Sequence, residues 1–219
     1  MTERLSDNIK RITENVQQAK HKAGRCDTVR IMAVTKTIQV DRINEAIGCG
    51  IDLLGENRVQ EFLQKHEGYS PDCEIHFIGG LQTNKVRQVV GKVSMIHSVD
   101  SIKLAKEIDR CSKSVTDCLI EVNIADEQSK CGVRPEEINE LVKQMSQLPM
   151  VRLRGLMTIP PYGDSVRYFE KMQRLFEGLK AKSSDIEILS MGMSGDYEDA
   201  ILHGATIVRL GTALFGIRN

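Results

Sequence analysis

The feature that most constrains this chain is an alternation, repeated eight times, of a short apolar run of β character with a stretch of helical spacing. The runs fall at residues 29–34, 51–54, 74–78, 94–97, 118–122, 151–156, 186–189 and 206–210. Between them apolar residues return every third or fourth position, as in Phe169, Met172, Phe176 and Leu179. Helix starts are signalled by Asp41 before Ile43, Ala46 and Ile47, by Pro135 before Ile138, Leu141, Val142 and Met145, and by Asp196 before Ala200 and Ile201. Gly204 supplies a stop. Such alternation implies βαβ units and a parallel sheet. Eight units in 219 residues favour one closed (β/α)₈ barrel, residues 1–219 forming a single domain, over an open doubly wound sheet. No G-x-G-x-x-G follows the first run, which counts against a dinucleotide-binding sheet. Ahead of the first run, Leu5, Ile9, Ile12, Val16, Ala19 and Ala23 make one apolar stripe ending at Gly24, an extra N-terminal helix.

Charge and cysteine usage narrow the function classes. Thirty basic and thirty acidic residues cancel, so no long-range field gathers nucleic acid or anionic lipid. The N-terminus has no apolar signal region and no stretch reaches the length of a membrane span, so a soluble, cytoplasmic protein is expected. The six cysteines, Cys26, Cys49, Cys73, Cys111, Cys118 and Cys131, form no C-x-x-C pair, and no histidine cluster accompanies them. Reduced thiols and no metal follow. A small-molecule ligand is the remaining expectation.

A barrel of this kind presents its ligand at the carboxyl ends of the strands, so the polar residues just past each run carry the interest. Lys36 follows the first run in Ala33-Val34-Thr35-Lys36. An amine kept from water and near a cation such as Arg209 stays neutral and attacks an aldehyde, whereas an amine at a solvated strand end does neither. After the seventh and eighth runs come Ser190-Met191-Gly192-Met193-Ser194-Gly195-Asp196 and Val208-Arg209-Leu210-Gly211-Thr212. There Ser194, Gly195, Gly211 and Thr212 suit a phosphate cup, although turn and capping chemistry would use the same residues. Arg209 interrupts an apolar strand, so an inward side chain needs a partner or ligand. Asn57, beside Glu56 at the end of the second run, is a candidate to bond a ring hydroxyl or to cap a helix. His76 is a candidate ligand group or a satisfied core histidine. The segments 125–134 and 160–164 read as long loops at the same face.

These residues resemble the YggS/PROSC family, the pyridoxal phosphate homeostasis proteins. The resemblance spans essentially the whole chain. It is carried by Ala33-Val34-Thr35-Lys36, by Gly55-Glu56-Asn57-Arg58-Val59-Gln60-Glu61, and by His76-Phe77-Ile78-Gly79-Gly80-Leu81-Gln82-Thr83-Asn84-Lys85. Gly155-Leu156-Met157-Thr158-Ile159-Pro160, Leu189-Ser190-Met191-Gly192-Met193-Ser194 and Val208-Arg209-Leu210-Gly211-Thr212-Ala213-Leu214-Phe215-Gly216 continue it. It implies a barrel of the alanine-racemase type, the fold type III PLP barrel without its second domain. It also implies pyridoxal 5′-phosphate (PLP) as cofactor, held as a Schiff base on Lys36 with Arg209 beside the pyridine nitrogen. Ser194, Gly211 and Thr212 then contact the phosphate, and Gly195, Asn57 and His76 complete the set. Thr35, Arg58 and Ile75 stand where the family usually has serine, tyrosine and tryptophan.

The implied function is a non-catalytic PLP carrier in vitamin B6 and amino-acid balance, whose partners are PLP, free amino acids and PLP-accepting apoenzymes. Two alternatives share the same lysine: a PLP-dependent amino-acid racemase, and a PLP-free Schiff-base aldolase. Racemisation needs a second acid/base on the opposite face of the substrate, and the chain's end at Asn219 is expected to leave no room for the domain that supplies one. An arginine facing the ring nitrogen offers no proton acceptor, which keeps that nitrogen unprotonated and weakens the electron sink.

Overall fold

In the computed structural model, residues 4–127, 130–161 and 163–216 are described, and they form a closed barrel of eight parallel strands in sequence order. The order along the chain is α1 (Leu5–Lys22), β1 (Arg30–Val34), α2 (Val40–Gly48), β2 (Leu53–Glu56), α3 (Val59–Lys65), β3 (Glu74–Phe77), α4 (Val86–Val89), β4 (Met95–Val99), α5 (Ile102–Cys111) and β5 (Thr116–Val122). It continues with α6 (Ile138–Met145), β6 (Val151–Thr158), α7 (Ser165–Lys180), β7 (Ile188–Ser190), α8 (Tyr197–Leu202), β8 (Ile207–Leu210) and α9 (Thr212–Phe215). β8 pairs back onto β1 through Arg30–Ile207 to Ala33–Leu210, which removes every sheet edge.

All eight apolar runs become strands, with informative shifts at two. β2 starts two residues later than its apolar run because Ile51 packs among the surrounding helices, and ladder pairing begins only at Leu53 opposite Met32. β7 likewise leaves Ile186 in the outer layer and runs on to the polar Ser190. Hydropathy registers burial, and burial here occurs outside the barrel as well as in its strands.

Alternation along the strands divides the core in two. The larger part lies between sheet and helices and includes Ala33, Leu54, Phe77, Ile96, Ile120, Leu156 and Val208. Inside the barrel sit Met32, Val34, Leu53, Ile78 and Ile207 on one side, and Met95, Leu119 and Met157 on the other, with Ile188 touching both groups. The interior is thus packed with side chains, with buried polar groups among the apolar ones: Arg209 level with Met32, His76 with Met95 and Ser190 with Met157.

The N-terminal stripe behaves as its spacing requires, with Leu5, Ile9, Ile12, Val16 and Ala19 all buried. α1 packs on α8 and α9. Asn8 Nδ2 donates to the Leu214 carbonyl at 3.0 Å and Asn15 Nδ2 to the Tyr197 hydroxyl at 2.9 Å, so the added helix braces the turns that follow β7 and β8. None of the six cysteines forms a disulfide, no helix of the described residues is long and apolar enough to cross a membrane, and none of those residues forms a metal-binding cluster. The expected loops 125–134 and 160–164 include residues 128–129 and 162, which lie outside the described residues.

β6 carries the tightest backbone approach in the barrel. Gly155 has φ +152°, beside a register shift against β5, and a Cβ there would stand 1.8 Å from the Ile188 carbonyl oxygen on β7. Neither backbone can yield without breaking the ladder. Gly155→Ala should cost more than about 3 kcal/mol of unfolding free energy or prevent folding, as read by urea denaturation; a loss under about 1 kcal/mol would show that β6 can shift at this point.

Candidate functional site

At the carboxyl end of the barrel a cavity of about 620 Å³ opens, and six of its lining residues are Lys36, Ser194, Gly195, Arg209, Gly211 and Thr212. They come from the ends of β1, β7 and β8, far apart in sequence. Among the eight residues singled out from the sequence, Asn57 and His76 do not line this cavity.

Lys36 is half-buried, and its backbone is held from behind. Thr35 donates its hydroxyl to Glu56 Oε1 at 2.6 Å, and its N–H goes to the Gly55 carbonyl at 3.2 Å. Thr37 adopts φ +65°, a costly conformation for a β-branched residue, and Glu61 fixes it by accepting its N–H. Glu61 also receives Lys65, whose ammonium reaches the Thr35 carbonyl at 3.2 Å. Burial raises the Glu61 carboxyl, but Lys65 and the Thr37 N–H outweigh it and hold the group low. Glu56 is fully buried beneath this turn and takes a further hydrogen bond from the Tyr69 hydroxyl. Burial pushes both the Glu56 carboxyl and the Tyr69 phenol upward, and Glu56 Oε2 has no partner.

Across the mouth, Arg209 is buried inside the barrel, which settles the direction of its side chain. Nη1 donates to Ser190 Oγ at 2.8 Å and Nη2 to the Thr158 carbonyl at 2.7 Å. Burial lowers its pKa to about 10, against the opposing pull of Glu121 and Asp196. The Arg209 N–H itself bonds the Gly192 carbonyl at 2.9 Å, tying β8 to the turn after β7. Gly192 has φ +91°, and a Cβ there would come within 2.5 Å of Ala200 Cβ, so α8 can approach that turn only at a glycine.

The small residues form a cradle above Arg209. Ser194 Oγ accepts N–H groups from Gly211 at 3.3 Å and Ala213 at 3.1 Å, joining the two loops. Gly195 faces open space, with no atom within 4 Å of a Cβ built upon it. Asn57 does not cap α3, whose N-cap is Arg58, and its buried Oδ1 has no partner. That orphaned acceptor suits a ligand donor.

His76 sits deeper and is spoken for by protein. Its Nδ1 lies 2.9 Å from His97 Nε2, and its Nε2 lies 3.3 Å from Glu74 Oε2. Burial lowers its pKa to about 4, partly offset by Glu74, and pushes His97 well below its ordinary value. A cavity contact from His76 is therefore replaced by a place in the packing beneath Arg209. Ser190, His97, Thr158, Glu121 and Tyr69 take part in the arrangement without being candidates in the sequence. The one available signal was that His97, Glu121 and Ser190 are polar at inward positions of otherwise apolar strands.

Glu121 lies on β5 where both Asp100 and Arg209 are felt, and burial with the Asp100 charge raises its pKa to about 7. The folded state thus keeps a proton that the unfolded chain releases, and stability falls as pH rises from the ordinary value of 4.5 through 7. Glu121→Gln should gain stability relative to the parent between pH 5 and pH 8, on the order of 1–3 kcal/mol in paired urea titrations. An equal difference at both pH values would contradict the assignment.

Residues 8–219 match the family model described as alanine racemase, N-terminal domain. The pyridoxal phosphate homeostasis protein of Aquifex aeolicus is 47% identical over 222 residues, covering 97% of each chain. That of Escherichia coli K12 is 37% identical, covering 98% of this chain and 97% of the relative. Among solved structures, PipY of Synechococcus elongatus PCC7942 with PLP bound has a TM-score of 0.82 at 31% identity, covering 97% of this chain and all of that one. On identity, coverage and fold together, this chain belongs to the pyridoxal phosphate homeostasis protein family, built on the alanine racemase N-terminal barrel.

Proposed function

We propose that this protein holds pyridoxal 5′-phosphate in the barrel mouth and serves as a non-catalytic carrier in vitamin B6 and amino-acid balance. The observation that carries the reading is one cavity lined by Lys36, by the buried Arg209 and by the small-residue cradle of Ser194, Gly195, Gly211 and Thr212. A lysine alone would suit many chemistries. A lysine facing an arginine and a cradle of hydroxyl and backbone donors suits an aldehyde that carries both a ring nitrogen and a phosphate. Support comes also from relatives named for pyridoxal phosphate homeostasis and from PipY with PLP bound.

Each residue has a role that its surroundings permit. Lys36 supplies the amine, on a turn held by Thr35, Glu56 and Glu61. Arg209 donates to the ring nitrogen, Asn57 accepts from the ring hydroxyl with its free Oδ1, and Ser194, Gly195, Gly211 and Thr212 surround the phosphate. His76 contributes only through Arg209. When bound, the cofactor supplies an aldehyde that condenses reversibly with Lys36 or with a free amino acid. Arg209 has no acceptor to stabilise a proton on the ring nitrogen, so the electron sink is weak and proton loss from a bound amino acid is slow. That argues for a carrier over a racemase, and the phosphate cradle beside Arg209 argues for PLP over a sugar-cleaving aldolase. Free amino acids and PLP-accepting apoenzymes are the partners on this reading, and six unpaired thiols suit a cytoplasmic setting.

The purified protein loaded with PLP should absorb in the violet, and borohydride should fix the cofactor to the peptide containing Lys36. Label on Lys65 or Lys85, or a colourless protein, would overturn the reading. Ser194→Ala and Thr212→Ala should each weaken PLP retention about tenfold or more, since charge-assisted hydrogen bonds are worth about 1.5–3 kcal/mol. Equilibrium dialysis showing unchanged affinity in both would move the phosphate elsewhere. With L- and D-amino acids in deuterated water the loaded protein should change its spectrum with little Cα exchange; rapid exchange abolished by Lys36→Ala would restore the racemase.

A further inference from the structure

Below the mouth, the barrel interior holds a file of polar side chains for which cofactor contact gives no reason. Arg209 Nη1 donates to Ser190 Oγ at 2.8 Å, and Ser190 Oγ lies 3.1 Å from His97 Nδ1. His97 Nε2 lies 2.9 Å from His76 Nδ1, and His76 Nε2 lies 3.3 Å from Glu74 Oε2. Glu74 Oε2 also accepts from Arg30 Nη1 at 2.9 Å. The file runs from the cofactor end of the barrel to its opposite face: Ser190 and His97 are fully buried and His76 is 2% exposed, whereas the Glu74 side chain is 51% exposed.

The Glu74 end fixes the direction of every bond. Glu74, ion-paired with Arg30, is a carboxylate and only accepts, so His76 presents Nε2–H to it. Burial keeps both imidazoles neutral, and a neutral imidazole carries one donor and one acceptor. His76 Nδ1 is then an acceptor and must receive His97 Nε2–H. His97 Nδ1 becomes an acceptor in turn and receives the Ser190 hydroxyl proton. Ser190 therefore offers only lone pairs to Arg209, which can only donate. Glu121 and Asp196 also act on Arg209, His76 on His97, and Arg30 and Asp117 on His76. None of these offers an opposing donor within the file.

We propose that Ser190, His97 and His76 form a one-way hydrogen-bonded relay from Arg209 to Glu74, which positions Arg209 as a charged donor toward the bound ring nitrogen and delivers no proton to that nitrogen from the barrel interior. The proposal rests on the reading of Arg209 as the ring-nitrogen partner and makes the relay residues positioning residues. Each donor in the chain polarises the next, so the carboxylate of Glu74 strengthens the acceptor seen by Arg209 through three intervening groups. Protonating the ring from below would require reversing every bond in the file and turning the bare Nε2 lone pair of His76 toward the Glu74 carboxylate. The relay thus gives a structural reason for a cofactor held without turnover.

The test uses the full chain with ¹⁵N-labelled histidine, first without cofactor. Long-range ¹H–¹⁵N spectra should show His76 and His97 each protonated at Nε2 and bare at Nδ1 from pH 5.5 to pH 8. Glu74→Ala, at an exposed position where folding is not at stake, should bring Nδ1–H forms to both rings. A proton on His97 Nδ1 in the parent, or tautomers unchanged in Glu74→Ala, would overturn the relay. This arm is read without cofactor, so it stands apart from the PLP reading. With PLP added, Ser190→Ala should weaken retention about tenfold, the effect of losing one charge-assisted hydrogen bond, and should move the ¹⁵N resonance of ring-labelled cofactor. Retention and resonance both as in the parent would remove Ser190 from the positioning role.

Discussion

Closing eight parallel strands into a barrel sends alternate side chains of every strand into a dry interior that must be filled, and this condition governs the rest of the molecule. Much of the filling is apolar, from Met32, Leu53, Met95, Leu119, Met157 and Ile207. Beside them the strands contribute buried polar groups, Arg209 level with Met32, His76 with Met95 and Ser190 with Met157 and Ile207, together with His97. A buried guanidinium is tolerable only when its donors are met and an anion lies within reach. Ser190, the Thr158 carbonyl and Asp196 meet that requirement. The cavity at the mouth and the core are therefore one packing problem, with Arg209 belonging to both.

The same economy appears around Lys36. Its turn contains a strained Thr37 and lies over a buried carboxyl, features that would weaken an isolated loop. Glu61, Lys65, Thr35 and Tyr69 tie them together through short side-chain bonds between β1, α3 and the segment after it. On the other side, α1 packs on α9 and bonds the Leu214 carbonyl, so the helix outside the eightfold pattern supports the cradle at Gly211 and Thr212. Elements remote in sequence thus hold the amine and the cradle at a fixed separation, which a preorganised binding site requires.

Much of this was legible in the chain itself. Eight apolar runs with helical stretches between them determined the barrel, since period and length leave few ways to bury such strands. The positions of Lys36, Ser194, Gly195, Arg209, Gly211 and Thr212 just past or at the ends of strands placed them at the mouth before any coordinates, because the fold assigns that face to ligands. Balanced charge and scattered cysteines are likewise properties of the chain alone. Tertiary structure alone decided what pairs with what. It set the strand limits at β2 and β7, turned Arg209 inward, chose for His76 the packed file over the cavity, and left Asn57 out of the helix cap with a free oxygen. The reason is geometric: strand period tells which side chains share a face, but the stagger of eight strands around a closed barrel sets which of them meet. Glu74, His76, His97, Ser190 and Arg209 come from four different strands, and no spacing along the chain records that they stand in line.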